Sequence, residues 1–179
     1  MVQLWTGKGD DGTTGLLYGG RAPKASPRFD AVGTADEAQA AIGLARAEAP
    51  GGSELDVILT ALERDLWVLM AELATDDENR SKLIPGGSLV TEEMVTALER
   101  VLEDVGGRFE LPREFVVPGQ DHASALLDFA RTVVRRAERA TAAVAAEGSF
   151  AVPYLNRLSS VLWTLARWVE GEPLLTRGA

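Results

Sequence analysis

The sequence predicts an all-α bundle of five helices behind a glycine-rich, irregular amino-terminal segment. Three observations carry this reading. Apolar residues recur at helical intervals in five stretches, capping residues and Gly or Pro punctuate those stretches, and no section is strand-rich. With 179 residues, 46% hydrophobic and 25% charged, the chain suits one domain spanning 1–179 with a sizeable core.

Residues 1–28 are dense in Gly, Pro and Thr and show no sustained period, which predicts a loop-rich head. In "GTADEAQAAIGLARA", Thr34 and Glu37 have capping-box spacing, and Ala38, Ala41, Ile42 and Ala45 recur helically. A first helix is expected over about 34–48, ended by "PGG". "SELDVILTALERDLWVLMAELAT" opens on Ser53 and carries Leu55, Ile58, Leu59, Leu62, Leu66, Leu69, Met70 and Leu73 on one face. Thr91 reads as the N-cap of "EEMVTALERVLEDV", which Gly106 and Gly107 stop. "FVVPG" reads as a short extended piece before a fourth helix over about 121–147, and Pro153 suits the start of a last helix over about 154–170.

Composition narrows the function. A net charge of −9 argues against a general nucleic-acid or anionic-membrane surface. There is no cysteine and a single histidine, His122, so thiolate chemistry is excluded and any metal has to be held by oxygen. No apolar run approaches membrane-span length and the first residues lack signal-peptide character, so a cytoplasmic location is expected.

Residues 6–15, "TGKGDDGTTG", contain G-x-G-x-x-G at Gly7, Gly9 and Gly12. No strand precedes these glycines and no helix opens at the last, so the dinucleotide fingerprint fails; the Walker spacing is also absent. Two readings remain open. Glycine backbone, Thr hydroxyls and Lys8 suit close approach to phosphate, with Asp10 or Asp11 holding Mg²⁺ through water, or the stretch is a set of surface turns.

On the fourth helix, Leu126, Ala130, Val133, Val134 and Ala137 share one side, while Arg131, Arg135 and Glu138 gather on the opposite flank. That flank suits a salt-bridged solvent face or a pair of guanidinium forks on a polyphosphate. On the last helix Tyr154, Leu158, Val161, Leu162, Leu165 and Val169 face the core, leaving Asn156, Ser160, Trp163 and Arg167 on an outer stripe. Asp36 is expected in the first turn of the first helix, where the helix dipole favours a carboxylate.

Four ordered blocks, "TGKGDDGTTGL", "KASPRFDAVGTADE", "FVVPGQDHASALLDFARTVVRRAER" and "YLNRLSSVLWTLARWV", resemble the PduO-type ATP:cob(I)alamin adenosyltransferases, which are trimeric five-helix bundles. The resemblance implies transfer of the 5′-deoxyadenosyl group of ATP to cob(I)alamin, with Mg²⁺, yielding adenosylcobalamin and tripolyphosphate. It implies a homotrimer served by a flavin-dependent cobalt reductase and a cobalamin-dependent acceptor enzyme. Position by position, Thr6, Gly9, Asp10, Gly12 and Thr13 match the head that wraps ATP, and Lys24 and Ser26 match the loop after it. Arg131, Arg135 and Glu138 match the phosphate-binding block, Asp36 the partner of Arg131 across a subunit interface, Phe115 the lower axial side of cobalt, and Asn156 the ATP and corrin site. This chain departs from the family pattern in having Gly7 after the first Thr, with the basic Lys8 one place later, and in Ala25, Val134 and Ser160. The alternative function is a non-catalytic ATP- or cobalamin-binding module for delivery or regulation.

Overall fold

Ser26 is followed by Pro27, whose ring presets the φ of a first helical residue, and the chain enters its first helix there. The computed structural model describes residues 5–177. Its helices are α1 (Pro27–Ala47), α2 (Glu54–Leu73), α3 (Glu92–Gly106), α4 (His122–Ala142) and α5 (Ala151–Glu170), with a 3-10 turn at Asp77–Lys82. Two short strands, β1 (Thr13–Gly15) and β2 (Arg21–Pro23), pair antiparallel with Thr14 opposite Ala22.

The helix starts expected at Ser53 and Thr91 are present, Ser53 accepting from the Asp56 amide and Thr91 from Met94; Asp121 caps α4 in the same way, accepting from Ser124. The capping box at Thr34 is absent. Thr34 lies inside α1, buried, and its hydroxyl donates to the Asp30 carbonyl one turn back at 2.6 Å. Asp36 is therefore in the third turn rather than the first, outside the reach of the helix terminus. Helix α4 ends at Ala142, short of the expected 147, with Ala143 as its C-cap, and Gly148, at φ +74°, takes part in the turn that leads into α5.

Helix α1 packs between α2 and α4, and α5 between α4 and α3. The α1 face against its neighbours is mostly alanine (Ala31, Ala35, Ala38, Ala41, Ala45), which permits close helix approach. Larger side chains fill the rest: Leu59, Leu66 and Leu69 from α2, Leu127 and Val134 from α4, and Leu155, Leu158, Leu162 and Leu165 from α5. Leu126 and Val169, expected in the core, are only partly buried at its edge. Arg167, expected on the outer stripe, is 3% exposed, because carboxylates from two helices neutralise it there.

Two polar clusters brace the bundle. The buried Glu72 accepts from Arg80 (2.7 Å), the Val90 amide (2.8 Å) and the Ser149 hydroxyl (2.5 Å), tying two loops to α2. Tyr154, fully buried, donates to Asp65 at 3.0 Å. Burial pushes the Asp65 carboxyl above its ordinary value of 3.8, and the tyrosine hydrogen bond only partly opposes this. The folded state thus holds a proton there that the unfolded chain releases, so this contribution is present at low pH and is lost as pH rises through the raised value. Urea midpoints of Asp65→Asn should accordingly gain on those of the wild type as pH rises above the ordinary carboxylate range. A gap that stays constant with pH would contradict the shift.

Candidate active site

The head is built from tight turns that only glycine makes cheaply. Gly7 and Gly12 sit at φ +66° and +78°, and the amides of Asp10 and Gly12 bond back to the carbonyls of Gly7 and Gly9. At Gly9 a Cβ would stand 2.9 Å from Lys24 Nζ, so the absence of a side chain lets the lysine lie over the loop. Asp11 accepts from the amide and hydroxyl of Thr13 (2.9 and 2.8 Å) and from Arg21, and the Thr13 bonds lead in holding its carboxyl below the usual range. Thr6 accepts from the Lys8 amide at 3.4 Å, while the Lys8 and Asp10 side chains are exposed. Sequence reasoning missed Arg21, which donates to Thr13 and to the Lys8 carbonyl and so holds the two ends of the head together. Its only signal was a hairpin too short to show alternation.

Below the head, Lys24, Ser26, Asp30, Gly33, Thr34 and Glu37 line a cleft of about 560 Å³. Ser26 has the extended backbone of an N-cap, yet its buried hydroxyl has no hydrogen-bond partner. A polar atom left in this condition fits an oxygen-rich ligand.

The second region lies along α4 and α5. Phe115, 86% exposed, borders a cavity of about 510 Å³ together with Val116, Pro118, Arg131, Trp163 and Arg167. Its backbone is pinned from the far end of the chain: Thr176 N–H donates to the Phe115 carbonyl and Val117 N–H to Leu174. A neighbouring cleft of about 400 Å³ is lined by Arg131, Arg135, Ser159, Ser160, Trp163 and Thr164. Arg131 and Trp163 border both. Arg135 pairs with Glu138, whose other oxygen accepts from Asn156 Nδ2 at 3.0 Å, and Arg157 donates to Asn156 at 2.8 Å.

The structure thus gathers Arg131, Arg135, Glu138, Asn156 and Phe115, and separately gathers Lys24, Ser26 and the head. The two groups of clefts share no lining residue. Asp36 borders a separate, fourth depression, with Gln39, Arg64 and Trp67, and has no ion pair among the described residues. Arg131 pairs instead with Asp128 at 3.3 Å.

The sequence profile of the cobalamin adenosyltransferase family matches residues 4–169. The chain belongs to that family. Among family relatives, it is 38% identical over 96% of its length to the corrinoid adenosyltransferase PduO of Salmonella typhimurium, and 37% identical over 97% of its length to a corrinoid adenosyltransferase of Citrobacter freundii. It spans 98% of the latter protein but about half, 51%, of the Salmonella one. The fold is shared with a PduO-type ATP:corrinoid adenosyltransferase variant from Lactobacillus reuteri solved with cobalamin and ATP, at TM-score 0.86 and 25% identity, covering 98% of this chain and 97% of that one. Among the described residues, no helix is long and apolar enough to cross a membrane, and no trio of His, Cys, Asp or Glu is placed to hold a metal ion.

Proposed function

We propose that this chain acts as one adenosyltransferase unit that moves the 5′-deoxyadenosyl group of ATP to cob(I)alamin. The bond formed joins cobalt to C5′; the bond broken is C5′–O5′, and its electron pair leaves with tripolyphosphate. The observation that carries the reading is the position of Arg131, which borders both the Phe115 cavity and the Arg135 cleft in a chain of this family. Planar guanidinium groups at that junction suit charge developing on a leaving polyphosphate. The corrin nucleophile needs no protein base, in keeping with a chain that has no cysteine and one histidine.

In this reading Thr6, Gly7, Lys8, Gly9, Asp10, Gly12, Thr13, Lys24 and Ser26 wrap ATP, and Glu138 with Asn156 holds Arg135 in place. Phe115 lies under the corrin, where an apolar side chain excludes water and the lower ligand. Mg²⁺ bound to the phosphates would supply further charge neutralisation; the exposed Asp10 would suit an outer contact to it, whereas Asp11 is committed to Thr13 and Arg21. In this reading a second copy completes each site, with Asp36 of one copy paired to Arg131 of the next in a homotrimer; that the head-side cleft and the arginine clefts share no lining residue supports it. The enzyme would work in the cytoplasm beside a flavin-dependent cobalt reductase and a cobalamin-dependent acceptor.

The test is anaerobic incubation of reduced cobalamin and MgATP with the protein. Adenosylcobalamin and tripolyphosphate should appear together. Absence of both while cob(I)alamin is visibly present rejects the reading, and ATP binding without tripolyphosphate release marks a carrier instead.

A further inference from the structure

None of residues 5–25 belongs to the apolar core, so turns and polar contacts have to shape the head. Those contacts converge on Thr13. Its hydroxyl donates to Asp11 Oδ1 at 2.8 Å and accepts from Arg21 Nε and Nη2 at 2.8 and 2.6 Å, which uses its one hydrogen and both lone pairs. Asp11 Oδ1 also accepts from the Thr13 amide at 2.9 Å and from Arg21 Nη2 at 3.3 Å. From the second strand, Arg21 Nη2 reaches back to the Lys8 carbonyl at 2.5 Å. Three side chains thereby tie residue 8 to residue 13.

The loop so closed keeps its other groups open. Among the described residues the amides of Gly9 and Asp11 have no acceptor within the protein, and the side chains of Lys8 and Asp10 are exposed. Lys24 rests over Gly9, where a Cβ would stand 2.9 Å from its Nζ, and the same lysine lines the head-side cleft. Fixing the backbone of each loop residue costs about 1–2 kcal/mol of conformational entropy. A loop already held in one shape meets part of that cost before a ligand arrives.

We propose that Asp11, Thr13 and Arg21 form a brace that holds the 6–12 loop in its nucleotide-binding shape in advance, with Asp11 and Arg21 as positioning residues that do not touch ATP. The inference rests on the reading of the head as an ATP wrap. Thr13 serves that wrap as its frame, since its hydroxyl is fully committed. The sign of one effect separates a brace from direct contact. If Arg21 bound phosphate itself, Asp11→Ala would free the guanidinium and remove a charge that repels a polyanion, so MgATP would bind more tightly. A brace that loses its shared acceptor loosens instead. A carboxylate that held Mg²⁺ would give a loss independent of Arg21.

By titration calorimetry with MgATP, Asp11→Ala and Arg21→Ala should each raise Kd about 10-fold, with KM for ATP in step and kcat at saturating ATP within about twofold, the pattern of lost uniform binding. The double variant should be no worse than either single one. Asp11→Asn, which keeps an oxygen at the Oδ1 position, should recover most of the affinity. Before nucleotide is added, an endoprotease specific for lysine should cut after Lys8 several-fold faster in both alanine variants than in the wild type. Tighter or unchanged MgATP binding in Asp11→Ala, losses that multiply in the double variant, or unchanged cleavage after Lys8 overturns the proposal. Should Arg21→Ala not fold, Arg21→Lys, which lacks the paired nitrogens on Thr13, takes its place with the same overturning results. A wild type that binds MgATP but forms no adenosylcobalamin rejects the proposed function alone, and calorimetry and cleavage still decide the brace; one that binds no MgATP rejects both.

Discussion

Arg135→Ala should lower the rate of adenosylcobalamin formation by about 10²–10³-fold, the loss typical when one preorganised donor to a developing anion is deleted. Folding should hardly change. The side chain is 45% exposed and its ion pair with Glu138 is a surface contact, the kind worth about 0–1 kcal/mol. Glu138 keeps its second partner, Asn156, so truncation leaves no buried group stranded. Arg135→Lys restores the charge without the planar fork and should recover only part of the rate. Single-turnover spectra with reduced cobalamin and saturating MgATP, alongside a thermal melt, check both halves. A folded Arg135→Ala protein turning over at the wild-type rate would remove Arg135 from the site.

Glu72→Ala is the corresponding test of stability. Three groups converge on this carboxylate from two loops, and deleting it leaves a buried amide, a hydroxyl and a guanidinium without their acceptor. Breaking a fully buried pair costs about 3–5 kcal/mol, and since Arg80 is 30% exposed and retains access to water, about 3 kcal/mol is expected. Urea unfolding of variant and wild type at neutral pH reads the difference directly. A loss below about 1 kcal/mol would mean that these loops are held by something other than Glu72.

What the sequence made legible was local. Ser53 and Thr91 stand directly before strong apolar stripes, so both helix starts could be read from neighbouring residues. The start of α1 was misread because Thr34 and Glu37 imitate a capping box inside a helix already begun at Ser26–Pro27. Burial of Arg167 was illegible for a different reason: helical periodicity puts it outside, and the Asp128 that neutralises it lies on another helix. Arg131, Arg135 and Glu138 emerged from their spacing on one helix, and Phe115, Asn156, Lys24 and Ser26 from motif resemblance. No one-dimensional reading revealed that the head and the arginine face form separate clefts, because that separation arises only when α1 packs between α2 and α4.

The pairing of residues 115–117 with 174–176 bears on what sequence similarity can record. Phe115 projects almost entirely into solvent, so main-chain bonds from Thr176 to Phe115 and from Val117 to Leu174 fix where it stands. Such bonds are indifferent to side-chain identity. These two bonds therefore constrain residues 174–176 only through their main chain: position 176 has to keep an N–H, which excludes proline. The family profile stops at residue 169, short of this segment, although the segment steadies a residue proposed to touch the corrin. Similarity records side chains; here main-chain pairing around a single bridge does the steadying.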